Sequence, residues 1–317
     1  MNNNKEMVYD IIQATLDVAK ETITHVERTP GGETNESYFA TVAGKKYVVR
    51  LPGKGTEVLI DRSIEKENLT FGTKLGINPA FVYFDETSGI KISHAIEAAT
   101  PLTQATARDA HIFHKLIHLF QTLHETDDVM SNRFDLFQKI NEYEQLAFAA
   151  NSVTLQQIVP LRSEIHALQQ VYESYDIVET PCHMDSVIIN ILQDKTDNLY
   201  LIDWEYSGMF DPLWDIATLI LSLELNEEEE HYFLTNYFRR EPTVDELQRL
   251  HLLKIFLDYY WSLWYIYKET QGDNFGNKGT DRIQRAKHHL ATYKMEYEVD
   301  VVVGKESRII SRGHNLM

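Results

Sequence analysis

The sequence predicts an α+β fold of two lobes, a small β-rich N-terminal lobe over residues 1–97 and a larger helical C-terminal lobe over residues 98–317. Three observations carry this. Up to about residue 97, short β-rich runs alternate with Gly-containing turns. After "AATPLT" (98–103) the apolar spacing changes to the 3.6-residue period of amphipathic helices. Late in the chain that helical run is interrupted once, by two short strands around "QDKTDN" (193–198).

In order, residues 8–20 read as a short amphipathic helix. "YFATV" (38–42) and "KYVVRL" (46–51) read as strands of one hairpin joined through "AGK", and "TPGGETN" (29–35) as the loop before them. "EVLIDRSIEKENLTFGTKLG" (57–76) has helical spacing and stops at Gly76, a residue suited to the left-handed position past a helix end. "NPAFVYFDETSGIKISHAIE" (78–97) is a second hairpin turning at "DETSG". Helices are expected at 106–124, 133–150, 155–175, 213–225, 227–239, 244–269 and 281–296, with "NEEEE" (226–230) as an acid-rich first turn. No role is assigned to the tail, residues 298–317.

Composition narrows the function. A net charge of −18 argues against a nucleic-acid partner, since phosphate neutralisation needs Lys and Arg, and suits a cationic small molecule. One cysteine, Cys182, allows no internal disulfide, and no stretch approaches the ~20 apolar residues of a membrane span. The expectation is a cytoplasmic protein with no membrane insertion.

Two short motifs carry chemistry. "PCHMDSVIINIL" (181–192) places His183, Asp185 and Asn190 in the spacing H-x-D-x-x-x-x-N that protein kinases use. Phosphoryl transfer wants a carboxylate to take the substrate hydroxyl proton and an amide oxygen to help hold Mg²⁺. Alone, the match also reads as Asp and Asn in a polar turn beside a buried strand. The second motif is "LIDWEYSGMFDPLWDIA" (201–217), where Asp203 ends a strand across the hairpin from Asn190, the place of a second metal-binding carboxylate. Asp211 and Asp215 read as structural, Asp215 as a helix cap or a brace for the loop.

Together with "GGETN", "KYVVRLPG", "IDRSIEKEN" and "LGI", these motifs resemble the choline/ethanolamine kinase family, and most closely its bacterial phosphorylcholine-pathway members, within the aminoglycoside-phosphotransferase and protein-kinase-like superfamily. The resemblance covers roughly residues 20–295. It implies a protein-kinase-like fold and an ATP- and Mg²⁺-dependent phosphotransferase acting on the hydroxyl of a small cationic alcohol, choline foremost. It implies that Asp185 orients and deprotonates that hydroxyl and that Asn190 and Asp203 hold Mg²⁺. Asn35 and nearby N–H groups would approach the ATP phosphates. Arg50 would grip them in place of the usual Lys, with Glu65 (or else Glu67) fixing Arg50. Backbone groups of His94 and Ile96 would meet adenine. Trp261 and Trp264, one turn apart with Tyr265 beside them, would stack on a quaternary ammonium by cation–π attraction, with Glu205 or Glu224 adding negative charge. The same aromatic run also reads as an ordinary core helix.

Other readings stay open. Ethanolamine, thiamine or an aminoglycoside are alternative substrates. Relatives carry Asn and Leu where this chain has Met184 and Ser186, which raises a kinase fold that binds without catalysing. A metal-dependent hydrolase is a third reading. His111, His114 and His118 share a helical stripe opposite Ile112, Phe113, Leu116, Leu119, Phe120 and Leu123, so they are expected in solvent; Cys182 is expected to be a small buried residue.

Overall fold

The computed structural model describes residues 3–29, 35–149 and 155–297, which fold into two compact units. The first comprises Met1–Leu123, Met130–Asn132 and Asp185–Gly208; the second comprises His124–Val129, Arg133–Met184 and Met209–Met317. These units do not coincide with a division at residue 97, because strand pairing ties residue 100 to residue 193.

The first unit opens with α1 (Asn3–Leu16), earlier than the 8–20 expected, and α1 stops where Asp17 turns left-handed. Val8 and Ile12 of α1 join Val26, Tyr38, Val49 and Ile92 in one apolar core. That core covers one face of a five-stranded antiparallel sheet: β1 (Ile23–Arg28), β2 (Glu36–Val42), β3 (Lys45–Leu51), β5 (Lys91–His94) and β4 (Phe81–Phe84), in that order. β2 and β3 meet through a two-residue turn in which Ala43 and Gly44 both have positive φ, the geometry that matches strand twist. α2 (Arg62–Lys74) is capped by Asp61, whose side chain accepts from the N–H groups of Ser63 and Ile64. It ends as the sequence predicts: Gly76 is left-handed, and the N–H groups of Gly76 and Ile77 return to the carbonyls of Thr73 and Gly72. A smaller sheet, β6 (Thr100–Pro101), β8 (Ile191–Gln193) and β9 (Leu199–Leu201), holds the interrupting hairpin. α3 (Gln104–Ala107) and α4 (Ala110–His124) replace the single helix expected at 106–124. His111, His114 and His118 are exposed on α4 and the six apolar residues opposite them are buried, as their spacing predicts.

The second unit contains α5 (Leu136–Ala149), α6 (Leu155–Tyr172), α7 (Leu213–Leu223), α8 (Glu227–Phe238), α9 (Val244–Thr270) and α10 (Lys278–Tyr297), with a short pair β7 (Thr180–Cys182) and β10 (Gly208–Phe210) that the sequence did not predict. "NEEEE" does open a helix: Asn226 and Glu229 form a reciprocal capping box on α8. From Leu252 to Lys268 nearly every residue of α9 is buried. A helix apolar on all sides belongs at the centre of a bundle, and α9 packs on α5, α6, α7 and α10. Among the described residues no helix is long and apolar enough to cross a membrane.

Candidate active site

In the first unit, β3 and α2 bring Arg50 to Glu65, and both side chains are buried. One Glu65 oxygen takes Arg50 and the other takes Arg62 at 2.6 Å. Arg50 also reaches Asp203 at 3.3 Å and donates to the Gly89 carbonyl at 2.9 Å. Burial opposes the charge on Glu65, but Arg50, with Lys91 and Arg62 behind it, holds the carboxyl below its ordinary value. Glu67 is instead exposed and accepts from Ser131.

Glu205 joins this cluster. Two residues past Asp203, it accepts from Arg62 at 3.1 Å and from Asn35 at 3.4 Å. Burial first, and the charge of Asp203 second, push it up to about 7. A carboxylate considered for the aromatic pocket is thus bound among the guanidinia of the first unit. Asn35 is similarly occupied, with its oxygen on the Gly53 N–H at 3.3 Å; residues 30–34 of its loop lie outside the described residues. The His94 N–H goes to the Ala80 carbonyl at 2.9 Å, and the Ile96 carbonyl takes the Ala99 N–H at 3.4 Å.

The two sequence motifs meet across β8 and β9. Ile191 pairs with Leu201, and the Ile202 N–H donates to the Asn190 carbonyl at 2.9 Å, which sets Asp203 beside Asn190 at the ends of adjacent strands. Asn190 closes a 3₁₀ turn and donates its amide N–H to the Asp185 carboxylate at 2.8 Å and to the Asp185 carbonyl at 3.0 Å. That fixes the amide orientation and leaves the Asn190 oxygen as the atom able to accept a hydrogen bond or ligate a metal. Asp203 has φ +70°, a left-handed conformation that aspartate tolerates better than most residues. Buried Trp204 anchors the turn, with its indole N–H on the Leu201 carbonyl at 3.0 Å and its ring against Gly72 of α2.

In the second unit, buried Asp215 on α7 braces the residues just before Asp185. Its two oxygens accept from the N–H groups of His183 at 2.7 Å and Met184 at 2.8 Å, and one meets His124 at 3.1 Å. His124 in turn meets the Tyr237 hydroxyl at 2.8 Å. Trp214 donates to the Met184 carbonyl at 2.9 Å, so Met184, at φ +68°, is held from both sides. Burial works against the Asp215 charge, but His124 and His183 keep the carboxyl below its ordinary value. The Asp211 carboxylate accepts from the Leu213 N–H at the start of α7 at 3.0 Å and pairs with Arg249 at 2.9 Å. His124 and Tyr237 carried no local signal: His124 is the last residue of α4 and Tyr237 the last but one of α8, and only folding brings them to Asp215. Cys182 is buried, and burial raises its thiol well above the ordinary range.

Trp261, Trp264 and Tyr265 sit together near the end of α9. The two indoles lie edge to face at 5.9 Å, and Tyr265 lies 5.1 Å from Trp264. Phe275, which the sequence reading passed over, packs on Trp264 at 5.5 Å and on Tyr265 at 5.0 Å. The Arg282 guanidinium lies 5.9 Å from the Tyr265 ring. Buried Asp258, one turn before Trp261, is taken by Arg282 at 3.1 Å and Arg285 at 2.5 Å. Glu224 is exposed in the left-handed position that ends α7.

The chain is similar to known proteins in sequence and fold. A profile of the choline/ethanolamine kinase family matches residues 26–294. The protein LicA of Haemophilus influenzae is 31% identical over 265 residues, covering 81% of this chain and 77% of that protein. A crystal structure of the choline kinase LicA from Streptococcus pneumoniae superposes with a TM-score of 0.81 at 34% identity, covering 92% of this chain and all of that one. One of LicA in complex with AMP does so at 33% identity, with the same TM-score and coverage. Spectinomycin phosphotransferase, at 13% identity and a TM-score of 0.58, shares the fold. The chain is therefore a small-molecule kinase of protein-kinase-like fold that belongs to the choline/ethanolamine kinase family.

Proposed function

We propose that this kinase transfers the γ-phosphoryl group of ATP to the hydroxyl of choline, in the cytosol, where ATP is supplied. The observation that carries the reading is that Arg50, Glu65, Asp185, Asn190 and Asp203 all fall in one compact unit, joined by the contacts of two strand ends and one helix. Asp185 accepts the hydroxyl proton as the oxygen attacks the γ-phosphorus and the bond to the β-phosphate oxygen breaks. Asn190 keeps the Asp185 carboxylate oriented. Arg50 and Glu65 fix the geometry of the phosphate site. Positioning and charge stabilisation do most of the work in such a transfer.

The donor set fits Mg²⁺. The Asp203 carboxylate and the Asn190 amide oxygen are hard oxygen donors at adjacent strand ends, and carboxylate oxygens of Glu65, Asp203 and Glu205 lie within 4.8 Å of one another. Glu65 is committed to two guanidinia, so Asp203 and Asn190 would hold the ion, with Glu205 nearby. The ion when bound would neutralise charge on the β- and γ-phosphates.

The edge-to-face pair Trp261 and Trp264 supports a quaternary ammonium over a primary one, since rings attract a cation without needing its N–H donors. The test is an ADP-release assay with Mg·ATP over choline, ethanolamine, thiamine and several aminoglycosides, repeated with Asp185→Ala. Choline turnover that falls on the order of 10²- to 10⁴-fold in the variant, with the KM for ATP little changed, is expected. No turnover on any substrate by a wild-type protein that still binds ATP would make the chain a binding module.

A further inference from the structure

The phosphate-gripping task expected of Arg50 meets a difficulty in the structure: its guanidinium is already heavily used. One terminal nitrogen serves Glu65 and Asp203, and the other serves the Gly89 carbonyl. Arg62, the second buried guanidinium, is tied to Glu65, Glu205 and the Thr56 hydroxyl. Both arginines act as struts between acids.

A third cation sits beside them. Lys91 on β5 is the direct cross-strand partner of Arg50, and the next pair in the ladder is Val49 with Ile92. Side chains directly opposite in an antiparallel pair share a face, and successive residues alternate faces. Val49 and Ile92 are in the apolar core under α1, so Arg50 and Lys91 point to the other face, where Glu65, Asp203 and Glu205 gather. Lys91 is partly buried, yet among the described residues its ammonium takes no hydrogen bond and no ion pair. Burial first, and the adjacent Arg50 charge second, pull it down to about 8, against the weaker opposing pull of Glu65, Asp203 and Glu205. None of the nearby acids is hydrogen-bonded to it: Glu65 and Glu205 spend their oxygens on Arg50, Arg62 and Asn35, and Asp203 meets Arg50 at 3.3 Å. A desolvated ammonium with three unspent donors is costly unless an anion meets it.

We propose that Lys91 is a polyphosphate-binding residue, contacting the phosphates of the nucleotide beyond the α position while Arg50 acts mainly as the strut that holds Glu65 and Asp203. This rests on the kinase reading above and adds to it the residue that senses phosphate number.

The test is direct binding of AMP, ADP and ATP by calorimetry, without choline, to the wild-type chain, Lys91→Met and Lys91→Arg. In Lys91→Met, ADP and ATP should weaken on the order of 10- to 100-fold, the range for one charged hydrogen bond, while AMP stays within about twofold. Lys91→Arg should recover most of the loss. Wild-type affinity for ADP and ATP in Lys91→Met would overturn the assignment. Equal loss of AMP, ADP and ATP would also overturn it, because that pattern belongs to a collapsed site. A wild-type chain that binds none of the three nucleotides would remove the kinase reading itself, an outcome visible before either variant is made.

Discussion

At the scale of single residues, the departure at Met184 has a physical setting. A left-handed Met costs roughly 1–2 kcal/mol relative to right-handed backbone, a conformation that Asn tolerates better. Here the conformation is imposed by Asp215 on the N–H side and Trp214 on the carbonyl side, with the Met184 side chain buried. Asp215 therefore holds the backbone of the two residues that precede Asp185 in the chain. Asp215→Asn leaves one of two buried N–H groups facing an amide donor. It should lower the free energy of unfolding by about 1–3 kcal/mol, read by urea denaturation, and reduce kcat with the KM for ATP little changed. The pH dependence has a definite sign. The folded Asp215 carboxyl lies below its ordinary value, so its contribution is complete above about pH 4 and is lost as pH falls through the folded value. The variant should thus show a flatter loss of stability in acid; an acid limb parallel to wild type would mean that Asp215 carries no such linkage.

At the scale of elements, α2 is the part that sets Glu65, and it is seated through Gly72. A Cβ on Gly72 would fall 2.5 Å from the Trp204 ring, closer than any real contact, and that ring is fully buried in the turn after Asp203. Gly72→Ala must therefore push α2 away from the turn or displace Trp204. A loss of about 1–3 kcal/mol in stability is expected, together with a raised KM for ATP as Glu65 shifts from Arg50. Wild-type stability and KM in that variant would show that the helix has slack. The identity and order of these elements were legible because each has its own local cause: Asp61 starts α2, Gly76 stops it, and two positive-φ residues close the β2–β3 hairpin. The β7–β10 pair was not legible, since it joins two three-residue segments far apart in the chain that have no pattern of their own.

At the scale of the whole molecule, each compact unit is assembled from separated segments of the chain. A boundary drawn from a change in periodicity at residue 97 marks where helices begin, not where the contacts divide, because β6 lies beyond it and pairs with β8. The net charge of −18 belongs to this scale too. It favours the approach of a cation over distances that salt screens, the screening length falling from about 30 Å at 0.01 M to about 8 Å at 0.15 M. kcat/KM for choline should therefore fall as ionic strength rises across that range, with kcat unchanged. A flat profile would limit the role of the charge to solubility.

Fold class and family could be read from residue order alone, because the kinase-like motifs are short, contiguous and chemically distinctive: Asp185 and Asn190 lie five residues apart in one loop and 3₁₀ turn, and Asp203 one hairpin away. Residue order also indicated Arg50 and Glu65, whose pairing follows from one strand and the next helix. Only the tertiary structure decided how charge is shared among them. Glu205 could be read as part of an aromatic pocket until folding placed it on Arg62 and Asn35. Lys91 was one more strand lysine until sheet register set it beside Arg50. The network of His124, Tyr237 and Asp215 joins three helices through buried polar atoms. The reason is physical: local propensity and spacing act along the chain, whereas desolvation and the pairing of buried charges depend on which segments meet, and no single segment encodes that.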